Sequence, residues 1–379
     1  MTLDTAKSAV DFILSNYYKK KELFPENKNI DCSIAFFGGE PTLMWDSIIA
    51  PLTNYIRENN FPINLSMTSN GSLLNEERIA FMKKNKIGLL LSMDGDRLTQ
   101  EFNRPCLNEN LSSFDLTSKN IPYILQAFPQ TTFRATIFAP TAKYTFDNYL
   151  YAINQGFKNI YLLPDSRHIW SKQEKKELHN ELNEIYSFLS GCFSKNIMPP
   201  IKFKPIERSF HSILNHDLKV VRNSFSNDWT HPIMRCGLGT SLGSIGYDGS
   251  IYGCQEQTSQ GPKSIFYIGN IFNGGIDKNK HLQLLEEFHA EKRNTCANPQ
   301  LCEDCLLKND CRDFCCPSTG YDLFHEFHKD SEIHCLWNRW MFENSIYMMK
   351  KYVAENNQTF KKYLYEICDF KKVFREEVS

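Results

Sequence analysis

The sequence predicts an α/β fold: a parallel sheet, either doubly wound or a partial barrel, with a small cysteine-rich region behind it. Three observations carry this. Strand-like runs alternate with helical patterns up to residue 164, unusual turn residues end three successive strands, and 8 of the 13 cysteines fall between Cys254 and Cys335. Strands alternating with helices argue βα units, because parallel strands need a crossover to join them.

Leu3, Ala6, Ala9, Val10, Ile13, Leu14 and Tyr17 recur at three- and four-residue steps, which predicts an amphipathic helix at the start. Strands are predicted at 33–37, 63–68, 88–93, 132–138 and 159–163, with helices such as 75–84 and 145–155 between them. Gly38-Gly39-Glu40-Pro41 ends the first strand, Ser69-Asn70-Gly71 the second and Asp94-Gly95 the third. Gly, Asn and Asp are ordinary turn residues. Three such ends in successive units suggest a shared ligand, since ligands of parallel α/β folds collect at the C-terminal ends of strands. From about Asp165 the rhythm breaks: a charged helix in SKQEKKELHNELNEIYSFLSGCF precedes an irregular linker with Pro199-Pro200 and Pro205. A helical stretch at roughly 337–374 closes the chain.

Bulk composition excludes several classes. The 379 residues carry Lys+Arg 43 against Asp+Glu 44, a net charge of -1, so no nucleic-acid or anionic-membrane footprint is visible. The start, MTLDTAKSAV, has no apolar core of signal-peptide length, and no run approaches a membrane span. A cytoplasmic chain with neither nucleic-acid nor membrane partner is expected. In a reducing compartment, clustered thiols are better read as metal ligands than as disulfides.

Cys236 is followed by twelve residues, Gly249, four residues and Cys254; then come Cys302-x2-Cys305-x5-Cys311-x3-Cys315 and, after nineteen residues, Cys335. IGYDGSIYG (245–253) reads as a hairpin turning at Asp248-Gly249, which would bring Cys236 and Cys254 together. Such pairs suit tetrathiolate sites, for zinc or for Fe–S clusters. His325, His328 and His334 read as solvated loop residues, and Cys32, Cys106, Cys192 and Cys368 as buried thiols outside any motif.

Taken together, these residues resemble the radical S-adenosylmethionine (SAM) enzymes that carry a C-terminal SPASM domain. FFGGEP (36–41) is similar to the family's GGEP motif, which contacts the amino group of the SAM methionine; TSNG (68–71) resembles its TNG turn and LSMDG (91–95) its SxDG strand end. FNRP (102–105) resembles a stretch found shortly after that strand, and Arg134 the arginine that holds the SAM carboxylate with a serine such as Ser92. Gly38, Gly39, Glu40, Ser92 and Arg134 are thereby the expected cofactor residues. The glycines let backbone approach a ligand where a side chain would clash, and Glu40 supplies negative charge near an ammonium or caps the turn. The resemblance makes Cys236, Cys254, Cys302, Cys305, Cys311, Cys315 and Cys335 the ligands of two auxiliary [4Fe–4S] clusters rather than a zinc ribbon. Seven thiolates leave one position open, for which Cys296 and Cys316 are candidates; Cys315 fits the spacing better than Cys316, which Pro317 keeps in play.

The resemblance implies a partial (β/α) barrel at 1–164 missing its first strand, a linker and helix at 165–230, a SPASM domain at 231–340 and a helical tail at 341–379. It also implies a third [4Fe–4S] cluster on a CxxxCxxC loop that would precede the first helix, and no cysteine precedes Cys32. The expectation is therefore a chain that starts one strand and one loop late and does not cleave SAM as it stands. A complete version would generate a 5′-deoxyadenosyl radical that takes hydrogen from a peptide or protein side chain, with flavodoxin or ferredoxin as electron donor. Anaerobic sulfatase maturases carry an aspartate after the second SPASM cysteine as general base. Gln255 stands there, which favours a maturase of ribosomal peptides, with Glu256 pointing elsewhere if the chain is extended. An inactive cluster-holding or peptide-binding fragment is the reading from another class.

Overall fold

Thr2 starts the first helix, Leu3–Leu23, by accepting a hydrogen bond from the Thr5 N–H, and Ala6, Ala9, Val10 and Leu14 form its buried stripe. The structure, a computed structural model, describes residues 1–28, 30–217, 236–258, 260–289, 295–307 and 316–367. Local signals fix the later helices in the same way. Asn75 caps Glu76–Lys84, whose first turn is acidic and last turn basic, matching the helix dipole. Ser171 and Glu174 close a reciprocal capping box on Lys172–Ser194.

Six parallel strands form the main sheet: β1 Ser33–Phe36, β2 Asn64–Ser69, β3 Ile87–Ser92, β4 Thr132–Ile137, β5 Asn159–Pro164 and β6 Lys202–Phe203. They lie in sequential order, β1 to β6, so the sheet winds in one direction as a partial barrel does. One face packs under helices. Leu65 and Met67 of β2, Leu91 of β3 and Phe133, Ala135 and Ile137 of β4 are buried there with Ile56, Ile79, Met82, Ile124 and Tyr149. Ser66, Thr68, Ser92, Arg134, Thr136 and Tyr161 alternate with them on the other face and stay partly exposed. A parallel sheet is normally covered on both faces; this one keeps a polar, open concave side.

The predicted strands and the helices at 75–84 and 145–155 are present to within a residue or two; the closing stretch read at roughly 337–374 is two helices, the first starting at Glu332, and residues 368–374 lie outside the described residues. The stretch read as an irregular linker is not irregular: Lys202–Phe203 pairs with β5, and Lys204–Asp217 is helical. Pro205 causes no break because the second helical position needs no N–H partner. The closing helices, Glu332–Ala354 and Gln358–Ile367, pack into the main core, where Phe193 contacts the rings of Tyr352, Phe360 and Tyr363.

The cysteine-rich region has its own antiparallel sheet, in the order β10-β9-β8-β7, from β7 Ser244–Ile245, β8 Ser250–Tyr252, β9 Tyr267–Asn270 and β10 Gly275–Ile276. The expected hairpin is there, with Ser244 opposite Tyr252. Gly249 makes its turn at φ +82, and a Cβ there would strike Phe272 at 2.7 Å. A parallel pair, β11 Thr295–Cys296 and β12 Lys329–Asp330, joins this region to the start of the helix Glu332–Ala354. No described helix is long and apolar enough to cross a membrane.

Candidate cofactor and cluster sites

The first two strand ends are braced together by one carboxylate. Glu40 Oε1 accepts from the Thr42 N–H at 3.0 Å, from the Thr42 hydroxyl and from Ser69 Oγ at 2.8 Å, and Oε2 accepts from the Asn70 N–H at 2.8 Å. Glu40 therefore caps its own turn and ties it to the next loop. Its free acceptor capacity lies on Oε2. Before it, Gly38 sits at φ +152, a conformation essentially reserved for glycine, and a Cβ on Gly38 or Gly39 would meet nothing within 4 Å. The turn thus presents bare backbone to open space.

The third strand end is held by an ion pair. Asp94, 3% exposed, accepts from Arg104 Nε at 2.8 Å and Nη2 at 3.0 Å, and from the Thr136 N–H at 2.9 Å. The FNRP stretch thereby locks onto the SMDG strand end. Ser92 on β3 and Arg134 on β4 are register partners, and Arg134 in turn faces Tyr161 on β5. The Arg134 guanidinium lies 5.0 Å from the Tyr161 ring centroid and donates to the Ala135 carbonyl at 2.6 Å. Among the described residues it has no carboxylate in an ion pair. Burial pulls its pKa down, against the weaker attraction of Tyr161 and Asp94. A guanidinium in this position is a ready partner for a ligand carboxylate.

The described thiols form two groups. Cys236, Cys254 and Cys316 sit close enough to feel one another's charge. Burial pushes the Cys236 thiol up and the Cys254 thiol up to about 11. Cys296, Cys302, Cys305 and Cys335 form the second group and line a cavity with Leu301, Leu307 and Asp330. A hydrogen bond from Cys335 pulls the Cys296 thiol below its usual range. Cys311, Cys315 and Cys368 lie outside the described residues; Cys32 is buried, and Cys106 and Cys192 are half-buried.

Among the described residues, no three His, Cys, Asp or Glu side chains converge on a point as a single ion requires.

A polar network links the three-thiol group to the barrel mouth. Cys254 leads into the short turn Gln255–Gln257, so the chain is not extended there. Glu256 faces Arg167 at 3.8 Å, Arg167 also pairs with Asp322 at 3.0 Å, and Gln257 donates to Ser318 and Asp322 at 2.8 Å. Gln255 carries no proton-accepting carboxylate. Sequence reasoning missed Arg167, Gln257 and Asp322, which lie in no motif and meet only through the fold. It also misread two histidines: His328 is buried with Nε2 3.3 Å from the Glu287 carbonyl, and His334, on a helix, sits 2.6 Å from the buried Asp330 carboxylate. Only His325 of the three is exposed.

No protein-family model matches the chain. The radical SAM cyclopropyl synthase TigE of Paramaledivibacter caminithermalis is 25% identical over 177 residues, 46% of this chain and 36% of that protein. A cysteine-type anaerobic sulfatase-maturating enzyme of Clostridium perfringens is 25% identical over 169 residues, 44% of this chain and 45% of that protein. The chain thus matches less than half the length of these curated relatives. Among solved structures, it is similar to native anSMEcpe with bound AdoMet and Cp18Cys peptide, at TM-score 0.65 and 19% identity over 94% of this chain and 91% of that one. Streptococcus suis SuiB bound to precursor peptide SuiA matches at TM-score 0.50 and 15% identity, over 85% of this chain and 69% of that one. In sequence and in fold, the chain is radical SAM maturase-like.

Proposed function

We propose that the chain is a radical SAM/SPASM enzyme that modifies a side chain of a peptide or protein. The observation that carries the reading is Arg134: a desolvated guanidinium that forms no ion pair with a carboxylate among the described residues, on the open face of the sheet beside Ser92. In this reading Arg134 and Ser92 take the carboxylate of SAM. The bare backbone at Gly38 and Gly39 accepts its methionyl end, and Glu40 Oε2 faces its ammonium. In a version that carries the CxxxCxxC loop, SAM with its [4Fe–4S] cluster would supply hydrogen-atom abstraction; this chain's own residues orient the ligand and exclude water. Asp94 and Arg104 hold the strand end rather than the ligand. The thiol groups hold auxiliary [4Fe–4S] clusters, and flavodoxin or ferredoxin supplies electrons.

For the substrate, Gln255 supports a ribosomal peptide maturase over a sulfatase maturase. A neutral amide cannot accept a proton at that position, and the Glu256 carboxylate is turned toward Arg167. The reading divides the chain into a partial barrel that runs from residue 1 through β6 and Lys204–Asp217, a SPASM domain from Cys236 to β12, and closing helices from Glu332 that pack on the barrel core. The expected boundaries at 164 and 340 move because β6 pairs with β5 and one helix spans 340–341.

Saturation-transfer NMR with SAM, which registers weak ligands, tests the pocket. Transfer to the methionyl protons is expected with the wild type and at least tenfold less with Arg134→Ala, at unchanged thermal stability. Equal transfer to both proteins, or none to either, refutes the assignment.

A further inference from the structure

We infer that Tyr161 is a positioning residue for the carboxylate end of the bound ligand: its ring holds the Arg134 guanidinium in place and leaves the guanidinium N–H groups to meet a carboxylate beside Ser92. This rests on the reading of Arg134 and Ser92 as the carboxylate site. The ordinary explanation of a strand tyrosine is packing, against another ring or a branched neighbour. Tyr161 fits it poorly. It stands half-buried on the open face of the sheet, which it shares with the small residues Thr68, Ser92 and Thr136. Phe133, Tyr149 and Tyr151 all pack on other rings. Among the described residues no ring packs on Tyr161; what lies over it is the Arg134 guanidinium, 5.0 Å from the centroid.

The strand register sets the three side chains in one row. Ser92 of β3 pairs with Arg134 of β4, and Arg134 with Tyr161 of β5. Register partners in adjacent strands share a face, so Ser92 and Tyr161 flank Arg134 from either side. A guanidinium meets an aromatic ring by electrostatic attraction to the ring face and a carboxylate by its N–H groups, so the two contacts do not compete. The bond from Arg134 Nη1 to the Ala135 carbonyl, at 2.6 Å, is a second restraint. Ring and carbonyl together order a long side chain before the ligand arrives, which lowers the entropy that binding must spend.

The first measurement needs no ligand: NMR of the Arg134 Nε–Cζ group in the full chain. Guanidinium rotation is expected to be slow in the wild type and in Tyr161→Phe, which keeps the ring, and about tenfold faster in Tyr161→Leu and Tyr161→Gln. Equal rates in all four proteins overturn the positioning role. The second is a saturation-transfer titration with SAM and with 5′-methylthioadenosine, which lacks the amino and carboxylate groups. Tyr161→Leu is expected to weaken SAM about tenfold and Tyr161→Phe less than about twofold, with methylthioadenosine unchanged throughout. Melting temperature separates lost binding from lost fold. Equal loss of both probes also overturns the role, because the ring then touches the nucleoside instead of acting through Arg134. A wild type that restrains Arg134 yet binds no SAM overturns the carboxylate-site reading and reduces the ring contact to packing.

Discussion

One apolar cluster runs from Ala6 to Leu364 and unites the six-stranded sheet with its helices, whereas nine buried residues among those described, Leu238 to Phe327, form the core of the cysteine-rich region. The first body carries enough buried surface to hold its shape by packing. The second has two- to four-residue strands and thiols where a larger domain would have aliphatic side chains. Small units of this kind usually need a metal to offset the entropy of ordering the chain. With the proposed clusters bound, the first region would be sensitive to volume and the second to its iron.

Substitutions can break that contrast, starting with the largest effect. Phe133→Ala, at a fully buried ring under the sheet, should cost about 4 kcal/mol in urea unfolding whether or not iron is present. A cost that depended on iron would mean that the two bodies fold as one. Arg104→Ala should cost about 3 kcal/mol, because it leaves the buried Asp94 carboxylate without its cation. Chemical denaturation of Asp94→Asn combined with Arg104→Ala should then recover part of the loss.

Removing iron should act on the other region. Hydrogen exchange in β8 and β9 is expected to speed up about 30-fold, roughly 2 kcal/mol, while β2 to β5 hold their rates. Uniform acceleration would erase the distinction. The smallest effect has the opposite sign. Tyr149→Phe removes a buried hydroxyl with no hydrogen-bond partner among the described residues and should stabilise the protein by about 1 kcal/mol, read as a higher melting temperature.

The two regions were also legible in the sequence by different signals. Strand-like runs, alternating with helical patterns, located β1 to β5 because those strands bury one face against helices. Lys202–Phe203 escaped because two residues carry no period, and the prolines around them read as breaks. Cysteine spacing marked the second region and its hairpin paired Cys236 with Cys254, but nothing in the sequence grouped Cys296 with Cys302, Cys305 and Cys335. Which sulfurs share a cavity depends on β11 meeting β12, a contact between segments more than thirty residues apart. Arg134 was legible from its motif alone, while Arg167, Asp322 and Gln257 were not, since their network exists only where the two bodies meet.

The Glu40 carboxylate spans two loops, and this has a consequence for anyone rebuilding the protein. With Thr42 on one side and Ser69 and Asn70 on the other, the ends of β1 and β2 form a single mechanical part. A chimera that imports one of these loops from another barrel would bring an acceptor without its donors, or donors without their acceptor. The two loops must be exchanged together, as a cassette, for either to keep its shape.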